Sequence, residues 1–403
     1  MLNNSTDARR RARGLVSLAA GLLLAGTAQA ATFKIATISP LSGDLSAIGQ
    51  EIRRATELAI RDQAAAFRTL GHSVVLVPFD DQGAPTVAAQ EIKRVLADPG
   101  ILGVVGAYNS AVSNVVGQAT APARLAVISP ASSNDALTTQ GWTQFHRLVP
   151  PDQAHAVAAL NYITGELKAR SVYVVSDNTG YGNGLTRAII AEMKKRQVTL
   201  AGYVGVSSDE DAEAALRKIK ASGPGVVFCG CYENVLAPMI KGLRAAQVPA
   251  TFMGAGTLDS PSFVRRVGVD AEGAVYTTGF GPISSFTNSQ AFASKYRAAY
   301  NVVPSGVAAY AYDAATTLLT ALRTAASAAG GVPSRPQVSQ ALRRTSLPAC
   351  FGGTTSNCTT VSGAISFTNT GDRQRSRLLV MRFDKLLQPQ VAKVYTISPE
   401  ANR

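Results

Sequence analysis

The stretch "LAVISPASSNDALTTQG", Leu125 to Gly141, starts as an apolar strand and ends in a loop of small and hydroxyl-bearing residues. Runs of this kind recur. Apolar segments of four to seven residues, "FKIATIS", "SVVLVPF", "ILGVVGA", "LAVIS", "SVYVVSD", "GVVFCG" and "TFMG", alternate with longer helical patterns. Those helices are predicted over Gly49 to Phe67, Thr86 to Ala97, Asp152 to Leu167, Gly184 to Arg196, Asp209 to Ala221 and Pro238 to Ala246. Near-continuous apolar strands separated by amphipathic helices are what a parallel sheet covered on both faces requires. The fold class is therefore α/β.

Two βα series are visible, one from Phe33 to about Val149 and one from about Asp152 to Phe280. With 403 residues and no repeat or long polar tether, they are expected to form two lobes that share a hinge. In an open parallel sheet, ligands bind beyond the carboxyl ends of the strands. Three hydroxyl-rich loops of the first series lie at such ends: "SPLSGDLSAIG", "YNSAVS" and the opening stretch itself. The second series offers "SDNTGYGNG", "GCYEN" and "GAGTLDS". A cleft between these two edges would present backbone N–H groups, hydroxyls and tyrosines to a small carboxylate-bearing molecule.

The first thirty residues combine Arg9, Arg10, Arg11 and Arg13 with the apolar run "GLVSLAAGLLLAG" and the "AQA" site, so an ordinary secretory signal cleaved after Ala30 is expected. The apolar run is too short to span a bilayer. Removing residues 1–30, with four arginines and Asp7, lowers the formal net charge from +13 to +10. The remaining basic residues are scattered, and export argues against nucleic acid as a partner. The densest run, "DRQRSR" from Asp372 to Arg377, is expected to be a solvated crossover or turn.

Export permits disulfides. Cys350 and Cys358 flank the loop "FGGTTSN" and are expected to close it, whereas Cys229 and Cys231 in "GVVFCGC" are expected to be buried free thiols. Enzyme chemistry finds little support: there is no G-x-S-x-G elbow, H-E-x-x-H motif or phosphate loop, and "GYGNG" has Leu185 where a dinucleotide loop needs glycine. His72, His146 and His155 are the only histidines, and solvated, non-catalytic positions are expected for them. No metal or cofactor is expected.

Taken in order, "KIATISPLSGDLSAIGQEIRRATELAI", "PFDDQGAPTVAAQEIKRVL", "GVVGAYNSAVS", "VISPASSNDALT", "VVSDNTGYGNGL", "GLRAAQVPATFMGAGTLDSPSFVRRVG" and "YAYDAATTLLTAL" resemble the periplasmic leucine/isoleucine/valine-binding proteins that feed ABC importers. The resemblance implies two doubly wound parallel-sheet lobes joined by a three-crossover hinge: residues 31–150 with 281–372, and 151–280 with 373–403. It implies a monomer in the periplasm whose cleft closes on its ligand and docks on a permease in the inner membrane. Carried over residue by residue, Ser110 corresponds to the serine that meets the ligand carboxylate, and Ser133 to a threonine that contacts carboxylate and ammonium. Ala131 offers backbone groups, and Tyr181 and Tyr232 close over the ligand from the second lobe. Ser132 and Asn134 are expected to be turn formers, and helix capping remains the alternative for Ser110 and Ser133.

One position departs from the pattern. Gly256 stands where amino-acid-binding relatives carry an acid against the ligand ammonium. Either Asp259, Glu233 or Asp44 substitutes, or the ligand lacks an ammonium, and the second is the sequence's expectation. A ligand-sensing module of a receptor shares the expected fold and is the alternative function.

Overall fold

A computed structural model describes residues 30–286, 289–349 and 359–398. Cys350, Cys358 and all but the last residue of the expected signal lie outside these. The first sheet holds β1 (Thr32–Ser39), β2 (Ser73–Asp80), β3 (Ile101–Gly106), β4 (Ala126–Ser129) and β5 (Phe145–Arg147), in the order β2-β1-β3-β4-β5 and parallel throughout. Its strands are linked by α1 (Ser46–Thr69), α2 (Pro85–Ala97) and α3 (Ser110–Thr120). Every residue of β3 and β4 is buried, as expected of strands covered on both faces.

Past Pro151 the chain enters α4 (Asp152–Gly165) and a second sheet. Its strands are β6 (Ser171–Ser176), β7 (Thr199–Gly205), β8 (Val226–Gly230), β9 (Thr251–Gly254) and β10 (Val275–Thr278), connected by α5 (Gly180–Lys195), α6 (Asp209–Ser222), α7 (Glu233–Ala245) and α8 (Pro261–Val267). The chain then returns as α9 (Ser289–Tyr300), α10 (Gly306–Ala329) and α11 (Arg335–Arg344) to cover the first sheet, where α10 packs along α1. Gly103 of β3 admits this helix, since a Cβ there would come within 2.8 Å of Leu318. Finally β11 (Ser376–Phe383) and β12 (Pro389–Ile397) join the second sheet, antiparallel to β10 and to each other, giving the order β12-β11-β10-β9-β8-β6-β7. The hydrophobic pattern did not single out this hairpin, because the solvent-facing β12 is mostly exposed.

Several expectations are corrected by packing. Cys229 and Cys231 form a disulfide, with Sγ atoms 1.99 Å apart. The reason is that the backbone across Gly230, the last residue of β8, brings the two Cα atoms to 5.3 Å, closer than the roughly 6.6 Å of two extended residues. The histidines are not solvated. His72 packs on Phe33 at 4.7 Å and its Nδ1 accepts from Ala31 N, while His146 lies buried 4.6 Å from Phe367. The run at Asp372 is not a solvated turn at its start: Asp372 and Arg373 are buried. Asp372 pairs at 2.6 Å with Arg147, whose guanidinium also donates to the carbonyl of Asn134 and to Thr138. This buried ion pair ties the loop after β4 to the segment that leads into β11.

Candidate functional site

All six residues singled out for ligand contact, Ser110, Ala131, Ser133, Tyr181, Tyr232 and Gly256, line one cavity between the two sheets. The wall from the first sheet is built by two adjacent loops. Asn109 caps α3, its side chain accepting from Val112 N at 2.8 Å, which leaves the buried Ser110 hydroxyl free of that task. Ser110 Oγ accepts only a long 3.4 Å bond from Asn134 N. Ser132, expected to be a turn former, is buried behind the wall and knits the loops together. Its hydroxyl lies 2.7 Å from Ser113 Oγ and donates to the carbonyls of Ala107 and Tyr108. Ser133 faces forward, and its carbonyl accepts from Asp152 N at 2.8 Å.

The wall from the second sheet is aromatic. Tyr181 sits in the first turn of α5 and Tyr232 at the N-cap of α7, with ring centroids 5.1 Å apart. Tyr108 faces Tyr232 from the first sheet at 6.5 Å. Asp177 fixes both tyrosine-bearing loops, accepting from Thr179 N and Oγ1 with one oxygen and from Tyr232 N with the other. Burial pushes the hydroxyls of all three tyrosines well above their ordinary range, so they stay neutral donors. Gly256 lies opposite Phe280, where a Cβ would find ordinary contact at 3.5 Å.

Two residues were missed by the sequence reading. Asp152, the first residue of α4, is fully buried, lines the cavity, and has no hydrogen-bond partner on either carboxylate oxygen. Burial first, then the charge of Asp135, raise its pKa to about 7; the Ser133 hydroxyl and the Arg147 and Arg187 guanidinium groups offset this only in part. His155, one turn on, also lines the cavity. Its Nδ1 is 2.9 Å from Thr277 Oγ1, and burial, followed by the charge of Arg147, lowers its pKa to about 4 and keeps the ring neutral. An acid after "VPP" carries no mark of its role, because acids are ordinary in a first helical turn.

The acids named in the sequence reading are engaged elsewhere. Asp259 accepts from Tyr276, Thr278 and Gly281 N, holding the segment that leaves β10. Glu233 accepts from Ser262 and pairs with Arg266, and Asp44 is exposed at the outer mouth. Among the described residues no group of acids, histidines or cysteines is arranged to hold a metal, and no helix is long and apolar enough to cross a membrane.

Comparison with known proteins gives a consistent set. The periplasmic binding protein family model matches residues 32–381. An amino acid binding protein of Pseudomonas aeruginosa is 28% identical over 324 residues, 78% of this chain and 84% of that protein. A leucine-binding protein of Thermotoga maritima superposes with a TM-score of 0.78 at 23% identity, over 92% of this chain and 99% of its own. A solute-binding protein from R. palustris, solved with benzoate, gives 0.77 at 17% identity, over 92% and 98%.

Proposed function

The chain belongs to the periplasmic binding protein family, and from that premise we propose that it captures a small α-amino acid with an apolar side chain by cleft closure. It is a substrate-binding protein of the ABC-importer class, not an enzyme, and the family implies a location outside the cytoplasm. On this reading the mature protein begins at Ala31, works as a monomer in the periplasm, and hands its ligand to a permease in the inner membrane. Residues 31–150 with 281–372 form one lobe, and 151–280 with 373–403 the other.

The observation that carries the ligand class is Asp152. The N-terminus of α3, the Ser110 and Ser133 hydroxyls and the backbone at Ala131 suit a carboxylate. Asp152 sits beside that cradle as a buried acid with neither oxygen in a close hydrogen bond or ion pair, and an ammonium is the group that would pair it. This supports an α-amino acid over the ammonium-free acid that Gly256 suggested. Val149, Leu185, Ala255 and Phe280 complete an apolar lining for the side chain. The runner-up is an aromatic or branched aliphatic acid, favoured by Gly256. Calorimetric titration with L-leucine and with 4-methylpentanoate, its deaminated analogue, decides between them: tighter binding of the analogue would sink the amino-acid reading.

A further inference from the structure

The loop that carries the carboxylate cradle also reaches across to the other sheet's unit. Asn134 Oδ1 accepts from Ala136 N at 2.9 Å, the turn-forming role expected of it. Its Nδ2 does something the turn does not need: it donates at 2.7 Å to the carbonyl of Gly180, the first residue of α5. The Asn134 backbone is itself anchored, since its carbonyl accepts from the buried Arg147.

The surface it meets is bare of side chains. A Cβ at Gly180 would come within 3.2 Å of the Ala111 methyl, and one at Gly184 within 2.3 Å of Asn134 Nδ2 and 2.7 Å of Asp152 Oδ2. Glycine at both positions lets α5 seat directly on the cradle loop. Asn134 is not among the residues lining the inner cavity.

We propose that Asn134 is a closure latch, a positioning residue whose side-chain amide holds α5 against the cradle loop and so sets how long the ligand is retained. The proposal rests on the reading of a cleft that closes. Donor and acceptor belong to units built on different sheets, so the bond forms when the cleft shuts and breaks when it opens. Its loss therefore acts on release rather than on encounter.

Asn134→Ser separates the two roles of the side chain. Serine keeps a short-range acceptor for the turn but is too short to reach Gly180. Stopped-flow kinetics with L-leucine should show dissociation faster by about three- to tenfold, the range of one neutral hydrogen bond. The association rate constant should change by less than the dissociation rate constant. Release at the wild-type rate would overturn the latch and leave Asn134 a turn residue. Failure of wild-type protein to bind leucine counts against the ligand reading instead. In that case, spin labels placed on the exposed Gln140 and Lys194 through encoded amino acids still decide the latch. Asn134→Ser must lengthen the distance distribution without any ligand, and identical distributions overturn it.

Discussion

The two walls of the cleft contain polar groups in opposite states of satisfaction. On the first-sheet wall, Ser113, Ser129 and Ser132 are bonded to each other or to the Ala107 and Tyr108 carbonyls, and Arg147 binds the carbonyls of Ser132 and Asn134 from behind. That wall is organised by the protein alone. Beside that wall, at the start of α4, Asp152 is buried with neither oxygen hydrogen-bonded. A buried, unpaired acid is costly, so this side is complete only with a partner that brings donors and positive charge. On the proposed reading, the preorganised surface receives the carboxylate and Asp152 the ammonium.

The largest effect should come from removing the support of the organised wall. Arg147→Met removes the ion-pair partner of the buried Asp372 carboxylate, and breaking such a pair costs about 3–5 kcal/mol. Denaturant unfolding should show this loss, and the double variant Arg147→Met with Asp372→Leu should recover much of it. A single variant within about 1 kcal/mol of wild type would mean that the cradle does not depend on the ion pair.

The next effect tests the other wall. Asp152→Asn should lower affinity for L-leucine by about a hundredfold, the worth of a charge-assisted pair, while 4-methylpentanoate binding is unchanged or improved. Equal losses for both compounds would place Asp152 in a structural role and erase the contrast.

Within the organised wall, two adjacent serines should separate. Ser133→Ala, at the cavity face, should weaken ligand binding by roughly tenfold with little change in stability. Ser132→Ala should do the reverse, costing about 1–3 kcal/mol of stability through unsatisfied neighbours. Calorimetry and thermal melts on the two variants give both readouts.

How far these walls can be read from sequence follows from their construction. The cradle comes from contiguous loops at strand ends, so "SPASSND" and "YNSAVS" announce it through position and composition alone. Tyr181 and Tyr232 are legible for the same reason, at the starts of α5 and α7. Asp152 comes from the segment joining the two units, and only the bond from its N–H to Ser133 O shows that the start of α4 returns beneath the cradle. Asp259, one of three acids the sequence offers as a substitute, lies near Gly256 in sequence, yet its carboxylate is consumed by Tyr276, Thr278 and Gly281. The disulfide was hidden likewise, since extended-strand spacing argues against an i, i+2 bond and only the shortened Cα separation of 5.3 Å across Gly230 allows it.

The smallest predicted effect is a pH dependence that belongs to the acidic wall alone. Asp152 titrates at about 7 in the folded protein, against about 3.9 in an unfolded chain. A raised carboxyl pKa means that its stabilising contribution is present below the unfolded value and is lost as pH rises through about 7. The ligand-free protein should therefore melt at a lower temperature at pH 8 than at pH 6. Asp81, buried and raised to about 7 chiefly by burial, contributes with the same sign, so the readout is the difference between wild type and Asp152→Asn. Ligand affinity should run the other way, because an ammonium pairs with the ionised form. Between pH 7.5 and 6.5 the ionised fraction of a group titrating at about 7 falls roughly threefold, and leucine affinity should fall with it. His155, lowered to about 4 by burial, stays neutral over this window and adds no counter-trend. Titrations at the two pH values on wild type and Asp152→Asn decide the matter: a threefold change that persists in the variant would assign the proton to some other group.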